Sequence, residues 1–241
     1  MNDSRRARIL DELGLAPVWK LRGGEAESQV AVEERPAAER ADDRATIAKT
    51  PVAEMGWDEL KAAVSHCTAC ALAKTRTQTV FGVGDEHSEW LLVGEAPGAE
   101  EDARGEPFVG QAGRLLDNIL AAIDLKRGHN VYIANVLKCR PPGNRNPEAQ
   151  EVERCSPFLE RQIALIRPKL IVAMGRFAAQ TLLDTDTSIA GLRGRLHRYR
   201  GVPLIVTYHP AYLLRNLPDK AKVWEDLLFA RKTLSELKAG S

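Results

Sequence analysis

Trp90-Leu91-Leu92-Val93-Gly94-Glu95-Ala96-Pro97-Gly98-Ala99-Glu100-Glu101-Asp102 is the stretch on which the fold turns. An apolar run closed by glycine has no polar face, so it reads as a short strand buried on both sides. Gly and Pro then make a tight, solvent-facing loop. Glu100, Glu101 and Asp102 follow where acids suit the positive end of a helix, while Glu95 stands at the strand end itself, where a carboxyl can do acid–base work.

The pattern repeats outward from there. Upstream, 57–66 reads as an amphipathic helix leading into Cys67. Downstream come a helix over 112–123, a strand over 131–137, a helix over 148–166 with Pro147 at its start, a strand over 170–174 and a helix over 176–183. Residues 196–200 and 203–207 flank Gly201 as a hairpin whose second arm joins the core, and 220–237 closes the chain as a helix. Strands alternating with helices predict an α/β fold, a three-layer αβα sandwich around a parallel sheet. In such sheets ligands bind at the carboxyl ends of the strands.

The 241 residues carry 34 Lys+Arg against 33 Asp+Glu, a net charge of +1, which argues against a histone-like polyanion binder but not against a local basic surface. Residues 1–50 are rich in Ala, Glu, Arg and Asp and hold 9 basic and 10 acidic residues, so they are no basic DNA-binding arm. Having few large apolar residues, residues 1–54 are expected to be a flexible or partly helical extension, and 55–241 a single folded domain. No apolar run approaches the roughly 20 residues of a membrane helix, and no secretory h-region is visible. A cytoplasmic monomer without membrane contact is expected. Neither G-x-G-x-x-G nor G-x-x-x-x-G-K-[ST] occurs, which counts against a nucleotide-cofactor enzyme.

Three further residues stand near strand ends or in Gly/Pro loops. Phe108, in Gly105-Glu106-Pro107-Phe108-Val109-Gly110, could stack on a planar ligand or plug the edge of the core. Asn135 offers a donor and an acceptor, suited to the edge of an amide-containing ring, or else serves as a turn residue. His209, ahead of Pro210, either faces a ligand or makes a structural hydrogen bond. Two stretches, 125–147 and 191–217, contain no acid but several basic residues, among them Arg140, Arg145 and Arg215; phosphate contacts around a cleft are expected.

The chain has four cysteines: Cys67-x-x-Cys70, Cys139, and Cys155 sixteen positions later. One Cys₄ metal site would use every cysteine in the chain, and spacing alone does not separate zinc from an iron–sulfur cluster. A redox C-x-x-C would open a helix after a strand, whereas Cys67 follows a helical segment.

Taken in order, these residues resemble the family 4 uracil-DNA glycosylases, the iron–sulfur branch of the uracil-DNA glycosylase superfamily. The likeness runs from about Cys67 to Trp224. It is carried by Cys67-x-x-Cys70, GEAPGAEED at 94–102, PFVGQAG at 107–113, NVLKCRPP at 135–142, Cys155 and HPAYLLRN at 209–216. The resemblance implies a four-stranded parallel sheet and a [4Fe–4S] cluster on Cys67, Cys70, Cys139 and Cys155. It also implies an enzyme that flips uracil out of single- or double-stranded DNA, hydrolyses its N-glycosidic bond, and leaves free uracil and an abasic site.

By the same resemblance Phe108 stacks on the base, Asn135 reads its N3–H and O4, and His209 donates to O2 as charge develops there. Backbone groups of Glu95, Ala96 and Pro97 line the pocket. The first motif lacks the water-orienting Asp of the superfamily's best-known branch, leaving Glu95, Glu101, Asp102 or a backbone carbonyl to position the water. Leu213 or Leu214 would fill the hole left by the flipped nucleotide. A non-catalytic iron–sulfur DNA-binding module is the rival reading. The histidine-bearing KRRIH loop of a related DNA-trapping branch is missing, as is the P-C-x-x-C that a zinc deaminase carries beside its H-x-E.

Overall fold

A computed structural model describes residues 50–239. Apart from its last five residues, the expected extension 1–54 lies outside them. Val52–Glu54 forms a 3₁₀ turn, and Val52 packs on the core.

The sheet has six strands: β1 (Val83–Gly84), β2 (Trp90–Gly94), β3 (Val131–Asn135), β4 (Leu170–Met174), β5 (His197–Tyr199) and β6 (Val202–Thr207), in the order β1-β3-β2-β4-β6-β5. The inner strands β3, β2, β4 and β6 pair in parallel, while β1 and β5 add antiparallel edges. The expectation of four parallel strands is therefore corrected to a mixed six-stranded sheet. The physical reason lies at the edges: β1 is two residues long, and β5 is a half-exposed polar hairpin arm with no buried-strand signature.

Every residue of β2, β3 and β4 is buried, which is why each reads as an apolar run rather than an alternation. Leu91, Val93, Ile171 and Val206 point to one face, where α1 (Trp57–Ser65), α4 (Ala149–Ile166) and α5 (Arg176–Leu183) cover them. Leu92, Ile133, Val172 and Ile205 point to the other. There they meet α3 (Gln111–Ala121), α7 (Pro210–Leu213) and α8 (Lys220–Ala239). Short helices α2 (Ala99–Arg104) and α6 (Ile189–Leu192) complete the set. Pro147 does not open α4. Glu148 caps it, its N–H donating to Glu151 Oε2 at 2.9 Å. Among the described residues no helix is long and apolar enough to cross a membrane.

The chain moves from β2 outward to β3, then crosses back to β4 on the other side of β2. That reversal opens a crevice at the carboxyl ends of the central strands. Gly94 and Asn135 are register partners there, and His209 follows just beyond β6.

Candidate active site

A cavity of about 450 Å³ occupies this crevice, lined by Glu95, Ala96, Pro97, Phe108, Asn135, His209 and Arg215, among others. Seven residues singled out in the sequence, from four separate segments, are thus brought together.

Asn135 forms the floor. It is 2% exposed, and its Oδ1 has no hydrogen-bond partner among the described residues. A buried polar atom without a partner is costly, of order 1–3 kcal/mol, unless a ligand satisfies it. Gly94 makes the space: a Cβ there would stand 2.4 Å from Asn135 Oδ1 and 2.7 Å from Phe108 Cζ. Only glycine leaves the amide and ring where they are.

His209 caps α7. The Ala211 N–H donates to its Nδ1 at 3.1 Å, so the neutral ring carries its proton on Nε2. Burial holds its pKa down at about 4; Glu101 opposes this and Arg215 adds to it. His209 is therefore a neutral Nε2–H donor at physiological pH. It stacks on Phe108 with centroids 5.3 Å apart. A third ring between them would need about 7 Å, so a planar ligand lies beside the pair.

Phe108 has φ +56°, the left-handed region that bulky residues avoid at a cost of roughly 1–3 kcal/mol. The groups that hold it there were not recognised from the sequence. Arg127 donates to the carbonyls of Pro107 (2.7 Å) and Phe108 (2.8 Å), and its Nε donates to Asp117 (3.0 Å). Gly113 lets α3 press against the same peptide: its Cβ would lie 1.7 Å from the Phe108 carbonyl oxygen.

The acids separate by their partners. Glu101 accepts the N–H groups of Gly98, Val109 and Gly110. Asp102 is buried, does not line the cavity, and accepts the Thr77 N–H on both oxygens (3.0 and 3.1 Å). Asp102 is thus committed to shaping a loop away from the cavity, which corrects the expectation that it positions water, whereas Glu101 both braces its loop and lines the cavity, and stays a candidate beside Glu95. The Glu95 carboxyl accepts no hydrogen bond from the described residues, and burial raises its pKa to about 6 against the pull of Arg176. The Glu95 carbonyl is already engaged by the Leu137 N–H at 3.0 Å.

The two leucines part in the same way. Leu213 is 0% exposed in the core beneath α7, so it cannot enter a duplex; Leu214 is 42% exposed. Of the two expected wedge candidates, Leu213 is therefore ruled out, and Leu214 is the one at the surface. The basic stretches are also largely spent inside the protein. Arg145 binds Glu151 through two nitrogens (2.6 and 3.0 Å), Arg193 pairs with Asp226, and Lys138 is fully buried. Arg140 donates to Asn144, while Arg215 stays exposed at the cavity. A stretch without acids in sequence does not stay without them in space.

A family model of the uracil DNA glycosylase superfamily matches residues 81–228, the segment that holds every residue lining the cavity. The chain belongs to that superfamily.

Within it, the chain is similar to proteins named type-4 uracil-DNA glycosylase. One from Archaeoglobus fulgidus is 48% identical over 165 residues, 65% of this chain and 82% of that protein. One from Thermotoga maritima is 42% identical over 177 residues, 72% and 92%. A type-5 uracil-DNA glycosylase from Thermus thermophilus is 32% identical over 153 residues, 54% and 68%. This chain is a member of the type-4 family.

The cysteines stand apart from the residues that line the glycosylase cavity. Cys67, Cys70, Cys139 and Cys155 line one small cavity with Lys138 and Arg154. Among the described residues no three His, Cys, Asp or Glu side chains are gathered closely enough to hold a metal ion as they stand. The donor set still fits a thiolate-bound cluster: four sulfurs, no carboxylate, and cationic surroundings. Arg76 donates to Cys139 Sγ at 3.0 Å and the Lys138 N–H to Cys155 Sγ at 3.2 Å. Burial pushes the Cys155 thiol up to about 11 and holds Lys138 down at about 8. The Lys138 ammonium also donates to the Asn135 carbonyl (2.9 Å) and Gln162 Oε1 (2.6 Å), tying the cysteine side of the domain to the residue at the cavity floor.

Proposed function

We propose that this chain is a DNA-repair glycosylase that removes uracil from DNA by hydrolysing the N-glycosidic bond, releasing free uracil and leaving an abasic site. The orphaned acceptor of Asn135, buried at the floor of a cavity that also holds the neutral His209, carries this reading. Uracil offers N3–H to that acceptor and O4 to the amide N–H; cytosine has an acceptor at N3 and an amine at C4, and mismatches both. The flipped base stacks on Phe108 beside His209.

As the bond breaks, negative charge gathers on the base. Nε2–H of His209 donates to O2, a donor preorganised by the Nδ1 bond and by burial. Glu95, when ionised, orients the attacking water; backbone groups of Ala96 and Pro97 shape the wall. Leu214 enters the space left in the duplex, and Arg215, with Arg140 and the partly neutralised Arg145, meets phosphates.

Cys67, Cys70, Cys139 and Cys155 would hold a [4Fe–4S] cluster, which supplies cross-linking of the fold rather than chemistry on the base. The active unit is assigned to residues 55–241 as an αβα sandwich, acting as a cytoplasmic monomer.

The test is incubation of purified protein with uracil-containing and matched thymine-containing oligonucleotides, followed by alkali. Strand breaks confined to the uracil position are expected. Binding without breakage would instead make the chain a non-catalytic iron–sulfur DNA-binding module.

A further inference from the structure

Phe108 is the stacking platform of the reading above, and it is held in a backbone conformation it would not choose. Its φ of +56° lies in the left-handed region, and it is neither glycine nor asparagine. Something outside the residue must hold it there. The peptides on both sides of Phe108 are gripped from opposite directions. Before the turn, the carbonyls of Pro107 and Phe108 converge on the Arg127 guanidinium at 2.7 and 2.8 Å. After it, the N–H groups of Val109 and Gly110 converge on Glu101 Oε1 at 2.9 and 3.2 Å.

Arg127 suits this task because its planar fork presents several donors at fixed angles. It is in turn anchored by Asp117 of α3 at 3.0 Å, so it joins the Phe108 loop to α3 and to the turn ahead of β3. It does not line the glycosylase cavity. Nor is it available for phosphate, since its nitrogens are engaged.

We propose that Arg127 is a positioning residue for base excision: it acts only through Phe108, by holding that ring's backbone in the left-handed state. The proposal rests on the glycosylase reading. If Arg127 leaves, the two carbonyls lose their shared donor, and the loop relaxes toward negative φ, carrying the ring out of the cavity. Lysine at this position keeps the charge but offers its donors from a single nitrogen, not from the three that Arg127 sets against the two carbonyls and the carboxylate.

A double-mutant cycle tests this on the full-length protein. Single-turnover excision of a uracil-containing single strand is measured at saturating enzyme for wild type, Arg127→Ala, Arg127→Lys, Phe108→Ala and the Arg127/Phe108 double variants. Inhibition by free uracil and the melting temperature are read alongside. Arg127→Ala is expected to slow excision by about tenfold or more, as small misplacements of a binding group do. It should also weaken inhibition by uracil. In the Phe108→Ala background the same change is expected to cost less than about twofold. Arg127→Lys repeats the comparison if the alanine variant does not fold. Equal losses in both backgrounds, or full activity of a folded Arg127→Ala protein, would overturn the proposal. A wild type that leaves uracil-containing DNA intact would overturn the glycosylase reading, and the proposal with it.

Discussion

Asparagine in place of His209 isolates the titration of this histidine from its role as a helix cap. Asn is as good an N-cap as any residue and accepts the Ala211 N–H in the same way. What it removes is a base whose native pKa, about 4, lies well below its ordinary 6.5. The sign follows from proton counting. Above pH 6.5 the ring is neutral in folded and unfolded chains alike and contributes nothing. Below it, the unfolded chain takes a proton that the folded protein refuses, so stability falls as pH drops, until about pH 4. At pH 5.0 the ring is 1.5 pH units below its ordinary value, which at about 1.4 kcal/mol per unit gives a loss of about 2 kcal/mol. Urea denaturation of wild type and His209→Asn at pH 7.5 and pH 5.0 measures it. The difference between the two proteins should shift by about 2 kcal/mol in favour of the variant at the lower pH. All other titrating groups cancel in that difference. A shift below about 0.5 kcal/mol would mean that His209 titrates normally, and the neutral-donor mechanism would fall with it.

The carboxyl of Glu95, raised to about 6, must be ionised to orient water, so wild-type excision should fall as pH drops through about 6. Glu95→Gln should be slow and lack that limb; a wild-type profile flat from pH 7.5 to 5 would remove Glu95 from the reaction. Asn135→Asp places an acceptor opposite uracil O4 and should abolish most excision of uracil, with weak release of cytosine as a secondary signature; unchanged uracil excision would show that Asn135 is not the reader. Leu213→Ala, in the core, should lower stability by about 2–5 kcal/mol and affect single and double strands alike. Leu214→Ala should leave the melting temperature alone and slow only duplex substrates; equal losses on both would refute the wedge. Protein prepared without oxygen should be brown, and serine at any of Cys67, Cys70, Cys139 or Cys155 should bleach it and lower its melting temperature. Colourless protein with stoichiometric zinc would refute the cluster.

The strands β2, β3 and β4 were legible because burial on both faces leaves a run with no polar positions, a property of the residues themselves. Their alternation with amphipathic helices then restricts the topology to a parallel core. Asn135 and His209 could be placed from the chain because strand ends in such sheets converge on one crevice. The edges could not: a two-residue β1 and a polar β5 acquire their identity only from the neighbour they pair with.

The sequence equally could not say which charges are spent. Arg127 and Phe108 are 19 residues apart, Arg193 and Asp226 are 33 apart, and nothing local announces either pairing. Glu95, Glu101 and Asp102 look alike as acids in one loop. Only folding brings Thr77, Val109 and Gly110 against two of them and leaves the carboxyl of the third without such a donor among the described residues. Adjacent leucines at 213 and 214 differ for the same reason. A helix turns by about 100° per residue, so neighbours face opposite environments, and which of the two faces inward is decided by what α7 packs against. Residue type and order determine what a site can contain. Which groups remain available to a substrate is a matter of partners, and partners exist only in the folded chain.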